Sequence, residues 1–233
     1  ISPEAPVPVF HVKKKNRMLG GSGNVVRNLT DLNGYVHFIS TVGADDSGRI
    51  IREFLAADAK VTFDLIETPD RPTTLKTRYI ADHQQMLRVD EEETIDLQTN
   101  VLDQIWDAYV KRVGDCTVVI MSDYGKGMFS KDFNHKLIAH ARKLGKTVIV
   151  DPKSNDFKDY GGATLITPNF KEFNGALGGI DGLTPTQSVE ENALALKAYA
   201  DLDALLVTRG KDGMTLLDGQ NQFHHLPTQA LEV

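Results

Sequence analysis

Short apolar runs rich in β-branched residues recur along the chain, and each gives way to polar residues or glycine. Such runs have no polar alternation, which is typical of strands covered on both faces by helices. They lie at 35–40, 61–66, 117–121, 147–150, 164–166 and 204–207. Between them, apolar residues recur at helical spacing, as Val101, Ile105 and Tyr109 do. This alternation predicts an α/β protein with a doubly wound, mostly parallel sheet.

The pattern changes between the second and third of these runs. Residues 73–80 and 86–89 are β-prone and are joined by the polar turn 82–85, which predicts a hairpin. Prolines before 9–12 favour an extended edge strand there, and residues 7–12 could join the hairpin in a small accessory sheet. The acidic run 90–93 that follows is predicted to be a solvated loop.

Local signals predict where several helices begin and end. Gly34 is placed to end a helix that carries Val25 and Leu29, and Gly145 is placed to end another. Ser130 is predicted to cap the start of the helix that Gly145 ends. The stretch 184–187, Thr-Pro-Thr-Gln, has the spacing of a capping box with proline at the first helical position, so it predicts a helix start. Residues 214–217 and 222–226 are predicted to form a second hairpin.

Length and composition narrow the class of protein. A chain of 233 residues with 41% hydrophobic content fits one α/β domain. The net charge of −6, with scattered basic residues, disfavours a nucleic-acid-binding or membrane-binding surface. The single Cys116 excludes an internal disulfide framework and a cysteine-rich metal site. No apolar run is long enough to span a membrane and no signal peptide is visible, so we expect a cytoplasmic protein.

A glycine-rich loop leads into the first predicted helix. Gly20, Gly21 and Gly23 precede Asn24, and helical spacing starts directly afterwards. Free backbone N–H groups and close backbone approach at such a junction suit a polar or anionic ligand. A flexible turn without a ligand is the alternative, and the loop alone does not decide between them.

Polar clusters follow four of the predicted strands. In open α/β sheets, ligands bind beyond the carboxyl ends of the strands. Each cluster taken alone also has a plain explanation as a turn or a helix entry, but their coincidence at one edge of the sheet predicts a binding site. The clusters lie at 123–126, 151–153, 169–172 and 208–213.

Several kinds of chemistry lack their motifs. The chain has no P-loop, and Val26 stands where a dinucleotide fingerprint would place its third glycine. The seven histidines lack metal-ligand spacing, and no serine or cysteine lies in a nucleophile elbow. Phosphoryl transfer fits better, because it needs N–H groups and cations around phosphates and Mg²⁺ held largely through water and carboxylates.

Three motifs carry a resemblance to a known family. Gly20–Val25, the turn Thr41–Asp45 and Asn169-x-x-Glu172 together resemble the ribokinase-like (PfkB) family of small-molecule kinases. Longer strings resemble one subgroup, the kinase domains of bifunctional heptose-7-phosphate kinase/heptose-1-phosphate adenylyltransferases. These strings are 1–9, 85–90, 122–127, 151–157 and 226–233.

The resemblance implies ATP-dependent phosphorylation of D-glycero-D-manno-heptose 7-phosphate at its anomeric hydroxyl, for ADP-heptose and lipopolysaccharide core synthesis. ATP and Mg²⁺ are the implied cofactors. The accessory sheet, from about 1–15 and 70–92, corresponds to a β-sheet lid through which a homodimer is expected. Another PfkB-type sugar kinase and a non-catalytic sugar- or nucleotide-binding module remain the alternatives.

The resemblance also implies roles for residues that match the family motifs. Substrate binding is implied for Gly20, Gly21, Asn24, Arg88, Asp123 and Lys126. ATP or phosphate binding is implied for Lys153, Asn169, Glu172, Thr208, Gly210 and Gly213, and Glu172 is expected to hold the metal through water.

Two family features are expected outside the sequence 1–233. The Gly-Ala-Gly-Asp motif, which carries the catalytic base, is expected after Val233, so no catalytic residue is assigned within the chain. The first strand of the family domain is expected before Ile1. The 233 residues are therefore expected to be one kinase domain truncated at both ends and inactive alone.

Overall fold

The computed structural model describes residues 4–5 and 9–228. The strands are β1 (Val36–Gly43), β2 (Val61–Thr68), β3 (Leu75–Ala81), β4 (Gln84–Glu91), β5 (Val118–Ser122), β6 (Thr147–Asp151), β7 (Leu165–Ile166), β8 (Ala204–Thr208), β9 (Met214–Leu217) and β10 (Phe223–Leu226). The α-helices are α1 (Gly21–Asp31), α2 (Asp46–Ala56), α3 (Thr99–Val113), α4 (Lys131–Lys143), α5 (Phe170–Leu177) and α6 (Val189–Tyr199), and short 3₁₀ helices span Phe157–Tyr160 and Gly210–Asp212.

The strands form three sheets. Six strands lie in the order β10-β9-β8-β7-β6-β5, in which β5 to β8 are parallel and the last hairpin is antiparallel. Strands β1 and β2 form a parallel pair, and β3 and β4 form the predicted antiparallel hairpin. The predicted α/β class with a mostly parallel sheet and a small separate β-sheet is confirmed.

One face of the six-stranded sheet forms the centre of the main core. Val148, Val150, Ile166 and Leu205 are completely buried there; helix α4 packs against β6, and helices α5 and α6 pack against β8. Because neighbouring residues of a strand point to opposite faces, burial alternates along β6 and β8. Together with α3, α5 and α6, these strands hold the carboxyl ends of the sheet in fixed positions.

The other face of β5 is more open than its sequence predicts. Val118 and Ile120 are 41% and 38% exposed, although an uninterrupted apolar run is typical of a strand covered on both faces. Strand β5 is the edge of the six-stranded ladder, and no described residue covers these two side chains fully. Ile120 instead contributes to the wall of a cavity of about 510 Å³.

The accessory sheet contains only the hairpin among the described residues. Its tight turn is made by Asp82 and His83, both with positive φ (47° and 65°), as the favoured two-residue turn requires. The predicted strand at 9–12 is wrong, since residues 9–20 form no regular element and pair with no strand. Phe10 nevertheless stacks on Tyr79 of β3, with ring centroids 6.4 Å apart. The part of the prediction that concerns 6–8 lies outside the described residues.

The structure places the predicted end of α1 differently and confirms the positions of the two predicted ends of α4. Helix α1 ends with Asn33 in the left-handed region (φ 63°), and the N–H of Gly34 donates to the carbonyl of Leu29 at 2.8 Å, so Asn33 takes the position predicted for Gly34. Gly145 (φ 69°) follows α4 as predicted. Ser130 occupies the N-cap position of α4, but its side chain makes no capping hydrogen bond.

The capping box predicted at 184–187 does not start a helix. Helix α6 begins at Val189, and the Ser188 hydroxyl accepts the N–H of Glu191 at 3.1 Å. The N–H of Thr184 donates to the Gln187 side chain at 2.9 Å. This is one of the two hydrogen bonds of a capping box, and here it closes a turn before the helix. None of the helices within 4–5 and 9–228 is long and apolar enough to cross a lipid bilayer.

Candidate active site

Polar residues from four strand ends line one cavity of about 510 Å³. Its walls come from the ends of β5, β6 and β8, from the segment between β7 and α5, and from the first turn of α1. The lining residues are Val25, Ile120, Ser122, Asp123, Tyr124, Ile149, Asp151, Pro152, Lys153, Thr167, Asn169, Glu172 and Thr208. The structure therefore brings together side chains from all four polar clusters that the sequence placed at strand carboxyl ends.

The floor of this cavity is a row of polar side chains set by the register of the parallel strands. Ser122 pairs with Asp151, and Ile166 pairs with Val150, so Thr167 follows beside Asp151. Paired residues on adjacent strands project from the same face of a sheet. The Ser122 hydroxyl is buried and has no hydrogen-bond partner among the described residues, so it is available to a ligand in the cavity.

Asp123 is held rigidly at the end of β5. Only 8% of this residue is exposed. Its Oδ1 accepts the N–H of Gly125 at 2.7 Å, and its Oδ2 accepts the phenol of Tyr160 at 2.6 Å. Since both oxygens are fixed by donors, the carboxylate keeps one orientation toward the cavity.

Tyr160 was not found by sequence reasoning. It ends the 3₁₀ helix after β6, is completely buried, and its phenol oxygen accepts the N–H groups of Lys153 at 3.1 Å and Ser154 at 3.0 Å. Burial, followed by the hydrogen bond to Asp123, raises the pKa of the Tyr160 phenol. The group therefore remains a neutral donor at physiological pH. No local sequence signal marks this role.

Asp151 lines the cavity with a carboxyl group whose pKa is raised. Burial raises its pKa, nearby Glu172 and Asp123 raise it further, and Lys153 opposes them. Such a group is typical of functional sites because its ionisation is costly without a cation or a donor nearby. The sequence placed Asp151 in a strand-end cluster but assigned it no role, although its position directly after a buried strand was the available signal.

Asn169 and Glu172 form the first turn of α5. The Asn169 side chain accepts the N–H groups of Lys171 at 2.9 Å and Glu172 at 3.0 Å, while Glu172 Oε2 accepts the N–H of Asn169 at 3.1 Å. This is a complete capping box. Lys153 Nζ lies 3.7 Å from Glu172 Oε1. The predicted phosphate-side residues Lys153, Asn169 and Glu172 thus meet at one helix N-terminus, which is electropositive.

The three predicted nucleotide-side residues separate into two groups. Thr208 ends β8 and lines the cavity, whereas Gly210 and Gly213 do not. Gly213 (φ 75°) is required by the β9–β10 hairpin, because a Cβ there would lie 2.0 Å from the Leu226 carbonyl oxygen. Gly210 (φ 58°) faces open space, so its backbone is accessible.

The glycine-rich loop reaches the opposite wall. Gly21 begins α1 with φ 49°, and a Cβ there would lie 3.5 Å from the ring of Tyr124, which lines the cavity. Val25 lines the cavity directly, while Asn24 is exposed on the same first turn. Gly20 is the N-cap residue and has no side-chain cap, so N–H groups at this helix start remain open to a ligand.

Arg88 and Lys126 lie outside the cavity wall and form ion pairs instead. Arg88 Nε is 2.9 Å from Asp90, and Lys126 Nζ is 2.7 Å from Glu92. Lys76 Nζ lies 2.7 Å from Asp90 and 2.6 Å from Glu92. The predicted solvated loop at 90–93 is therefore wrong for 90–91, which belong to β4, while 92–93 lie outside any strand as predicted. The carboxylates of Asp90 and Glu92 are held by neighbouring cations.

Arg71 joins the hairpin to the loop after β5. Its guanidinium donates to the carbonyl groups of Glu93 at 2.6 Å, Lys126 at 3.1 Å and Ile95 at 3.3 Å. With the Lys126–Glu92 ion pair, this contact ties the base of the hairpin to the segment that carries Asp123. Sequence reasoning missed Arg71, since its partners are backbone carbonyls distant in sequence.

Comparison with known proteins decides the family. The sequence profile described as "pfkB family carbohydrate kinase" matches residues 2–233. The chain belongs to this family. It is 40% identical over 233 residues to the bifunctional protein HldE of Paramagnetospirillum magneticum, with 100% of the chain and 47% of HldE covered. Identity to HldE of Caulobacter vibrioides is 44% over 234 residues, with the same coverage. The chain spans about half the length of the curated relatives it matches.

Solved structures of pfkB-type kinases share the fold. A variant of phosphofructokinase-2 from Escherichia coli superimposes with a TM-score of 0.77 at 19% identity, covering 98% of this chain and 73% of that one. The ribokinase of Arabidopsis thaliana, complexed with ribose and ATP, gives a TM-score of 0.68 at 18% identity over 95% of this chain and 70% of that one. At this level of identity, the likeness establishes the ribokinase-like fold.

Proposed function

We propose that the protein is the ATP-dependent kinase of a heptose 7-phosphate and phosphorylates its anomeric hydroxyl to give the 1,7-bisphosphate. The observation that carries this proposal is the single cavity in which Lys153, Asp151 and the N-terminus of α5 meet the α1 wall. Phosphoryl transfer needs this combination of cations, N–H groups and carboxylates. Membership of the pfkB family and 39–44% identity to HldE proteins support the reaction and the substrate class.

ATP is assigned to the side of the cavity formed by β6, β7 and β8. Lys153 and the first turn of α5 supply positive potential for phosphates, and Thr208 supplies a hydroxyl beside the accessible backbone of Gly210. The reciprocal cap of Asn169 and Glu172 uses N–H groups of that turn and fixes the start of α5 beside Lys153, so the helix contributes mainly its positive N-terminal potential. Gly213 contributes indirectly, because its positive φ and missing side chain let the segment between β8 and β9 pass close to Leu226.

Asp151 and Glu172 are the residues that would hold Mg²⁺, in part through water. The raised pKa of Asp151 comes partly from Glu172 and Asp123, so a divalent cation between these carboxylates would offset their repulsion. When bound, Mg²⁺ neutralises charge on the nucleotide phosphates.

The sugar is assigned to the opposite wall. The start of α1, with Gly20, Gly21 and Asn24, offers N–H groups and a side-chain amide to sugar hydroxyls, and Asp123 offers a fixed acceptor.

Basic residues beside this wall favour a phosphorylated acceptor. Arg78 and Arg88 are direct cross-strand partners in the β3–β4 hairpin, and Lys126 projects from the loop after β5. Arg88 already pairs with Asp90 at 2.9 Å, and Arg78 opposite it adds a second positive charge that suits a phosphate. The 7-phosphate of the sugar is the proposed ligand of these residues.

The β3–β4 hairpin is the proposed dimer surface. Ile80, Met86, Leu87 and Val89 are exposed large apolar side chains on it. Exposed apolar patches commonly mark interaction surfaces. Sedimentation of the protein across a concentration series tests this, and a monomer at all concentrations would refute it.

The cytoplasm, where ATP is available, is the proposed compartment, and cell fractionation checks it.

The reaction is tested with the protein expressed from its whole gene. ADP release is measured with ATP and one acceptor at a time: heptose 7-phosphate, unphosphorylated heptose, fructose 6-phosphate and ribose. The proposal expects turnover with heptose 7-phosphate at a kcat/KM at least about tenfold above that of every other acceptor. Preference for another sugar would indicate a different pfkB kinase. Binding of heptose 7-phosphate without any ADP release would indicate a non-catalytic binding module.

A further inference from the structure

We propose that Tyr160 is a positioning residue that fixes the distance between the sugar wall and the phosphate wall of the cavity. Its phenol joins the loop after β5, which carries Asp123, to the loop after β6, which carries Lys153. The inference rests on the proposed kinase function, because that function assigns the two loops to different substrates. It adds a role for a residue that contacts neither substrate.

The three hydrogen bonds of the phenol use its full capacity. One O–H donates to Asp123 Oδ2 at 2.6 Å, and the oxygen accepts from the N–H groups of Lys153 at 3.1 Å and Ser154 at 3.0 Å. Tyr160 is completely buried, so water does not compete for these bonds. Each partner therefore has a single fixed position relative to the phenol oxygen.

The two loops also touch beyond the phenol. Gly125, whose N–H is held by Asp123, lies so close to Lys153 that a Cβ at Gly125 would be 3.2 Å from Lys153 Cγ. The β6 loop is braced from behind, since the Ser154 hydroxyl donates to Asp159 at 2.6 Å. Asp159 is adjacent to Tyr160, so the brace and the phenol belong to one short 3₁₀ helix.

The spacing of the two walls is expected to affect phosphoryl transfer more than the binding of either substrate. Each substrate contacts mainly its own wall, so a small change in the spacing of the walls leaves either substrate able to bind. Phosphoryl transfer requires both reactants in alignment, and a displacement of about 1 Å can cost a factor of about 100 in rate. Loss of the phenol hydroxyl is therefore expected to lower kcat much more than it raises either KM.

The test compares Tyr160→Phe with Tyr109→Phe. Tyr109 is a matched control because it is also buried, its pKa is also raised by burial, and its phenol donates to the Leu137 carbonyl at 2.9 Å within the core. In the protein expressed from its whole gene, Tyr160→Phe should lower kcat about tenfold or more with each KM changed less than about threefold. Tyr109→Phe should lower only the melting temperature.

Hydrogen exchange of the 233-residue chain checks the coupling without turnover. The amides of Lys153 and Ser154 should be protected in the unaltered chain and should exchange about tenfold faster or more in Tyr160→Phe, but not in Tyr109→Phe. Unprotected amides at both positions in the unaltered chain would overturn the inference even if Tyr160→Phe failed to fold. Equal kcat in Tyr160→Phe and the unaltered protein would overturn it too. Absence of turnover in the unaltered protein would instead refute the kinase function, and the exchange result would still decide the coupling.

Discussion

Asn169 and Glu172 satisfy each other's backbone at the start of α5, with the Asn169 side chain accepting the Glu172 N–H at 3.0 Å and Glu172 accepting the Asn169 N–H at 3.1 Å. Glu172 also faces Lys153 across 3.7 Å. The motif that resembles a family signature is thus first a helix cap. Its structural and functional contributions can be separated because glutamine serves equally well at the third position of a capping box.

Glu172→Gln is expected to leave stability within about 0.5 kcal/mol of the unaltered chain, because the reciprocal cap persists. Removal of the carboxylate charge should weaken Mg²⁺-dependent binding of ATP about tenfold while metal-free ATP binding changes little. Isothermal titration with and without Mg²⁺ measures both quantities. Glu172→Ala is the contrasting variant, which should lose about 1 kcal/mol of stability as well. Unchanged Mg²⁺ dependence in Glu172→Gln would contradict the metal assignment.

Asp151→Asn is expected to stabilise the fold by about 1 kcal/mol near neutral pH, at the expense of Mg²⁺·ATP binding. Burial, Glu172 and Asp123 raise the pKa of Asp151 in the folded state. A raised carboxyl pKa contributes stability below the unfolded pKa, and that contribution is lost as the pH rises through the folded pKa. The gain from asparagine should therefore be smaller in mild acid than at neutral pH.

Urea unfolding at about pH 4.5 and about pH 7 checks this pH dependence. The exposed Asp181→Asn variant is the control and should show no such difference. A gain of equal size at both pH values would show that the ionisation of Asp151 is not its cause.

Gly210→Ala and Gly213→Ala are expected to differ in cost, although both glycines have positive φ. Alanine at Gly210 meets open space, so only backbone strain of about 1 kcal/mol is expected. Alanine at Gly213 collides with the backbone of Leu226, so a loss of about 3 kcal/mol or more is expected. Chemical denaturation of both variants measures the difference, and equal costs would contradict the described close approach of Gly213 to Leu226.

Lys126→Gln is expected to weaken binding of heptose 7-phosphate about tenfold, since a charge-assisted contact to phosphate is lost. Binding of the unphosphorylated sugar should not change. Stability should fall by less than about 1 kcal/mol, because the ion pair with Glu92 is partly screened by solvent. Titration calorimetry with both sugars checks this, and the exposed Lys131→Gln variant is the control. Equal weakening of both sugars would exclude a specific contact to phosphate.

The sequence predicted the fold and one edge of the site for the same physical reason. Apolar runs identify parallel strands, and the carboxyl ends of parallel strands meet at one edge, so Asp123, Lys153 and Asn169 could be grouped before any coordinates. Tyr160 could not be found in this way. Its contact with Asp123 spans 37 positions and depends on how a 3₁₀ helix packs under the sheet.

The wrong local predictions have physical causes too. The acidic run at 90–93 predicts a solvated loop because sequence alone does not show that Lys76 lies opposite Asp90 in the hairpin register. The spacing at 184–187 predicts a helix start, whereas α6 begins after Ser188, whose hydroxyl accepts the N–H of Glu191. Local spacing does not show which of these positions starts the helix, because the packing of the following residues decides it.

The spacing of Ser122, Asp151 and Thr167 in the site is set by the backbone pairing of their strands. Neighbouring strands lie about 4.8 Å apart, so the three functional groups are spaced by main-chain hydrogen bonds rather than by the packing of their own side chains. One group can therefore be exchanged for another without moving its neighbours. Because the backbone sets these positions, single substitutions can change which acceptor the site prefers while the sheet stays the same.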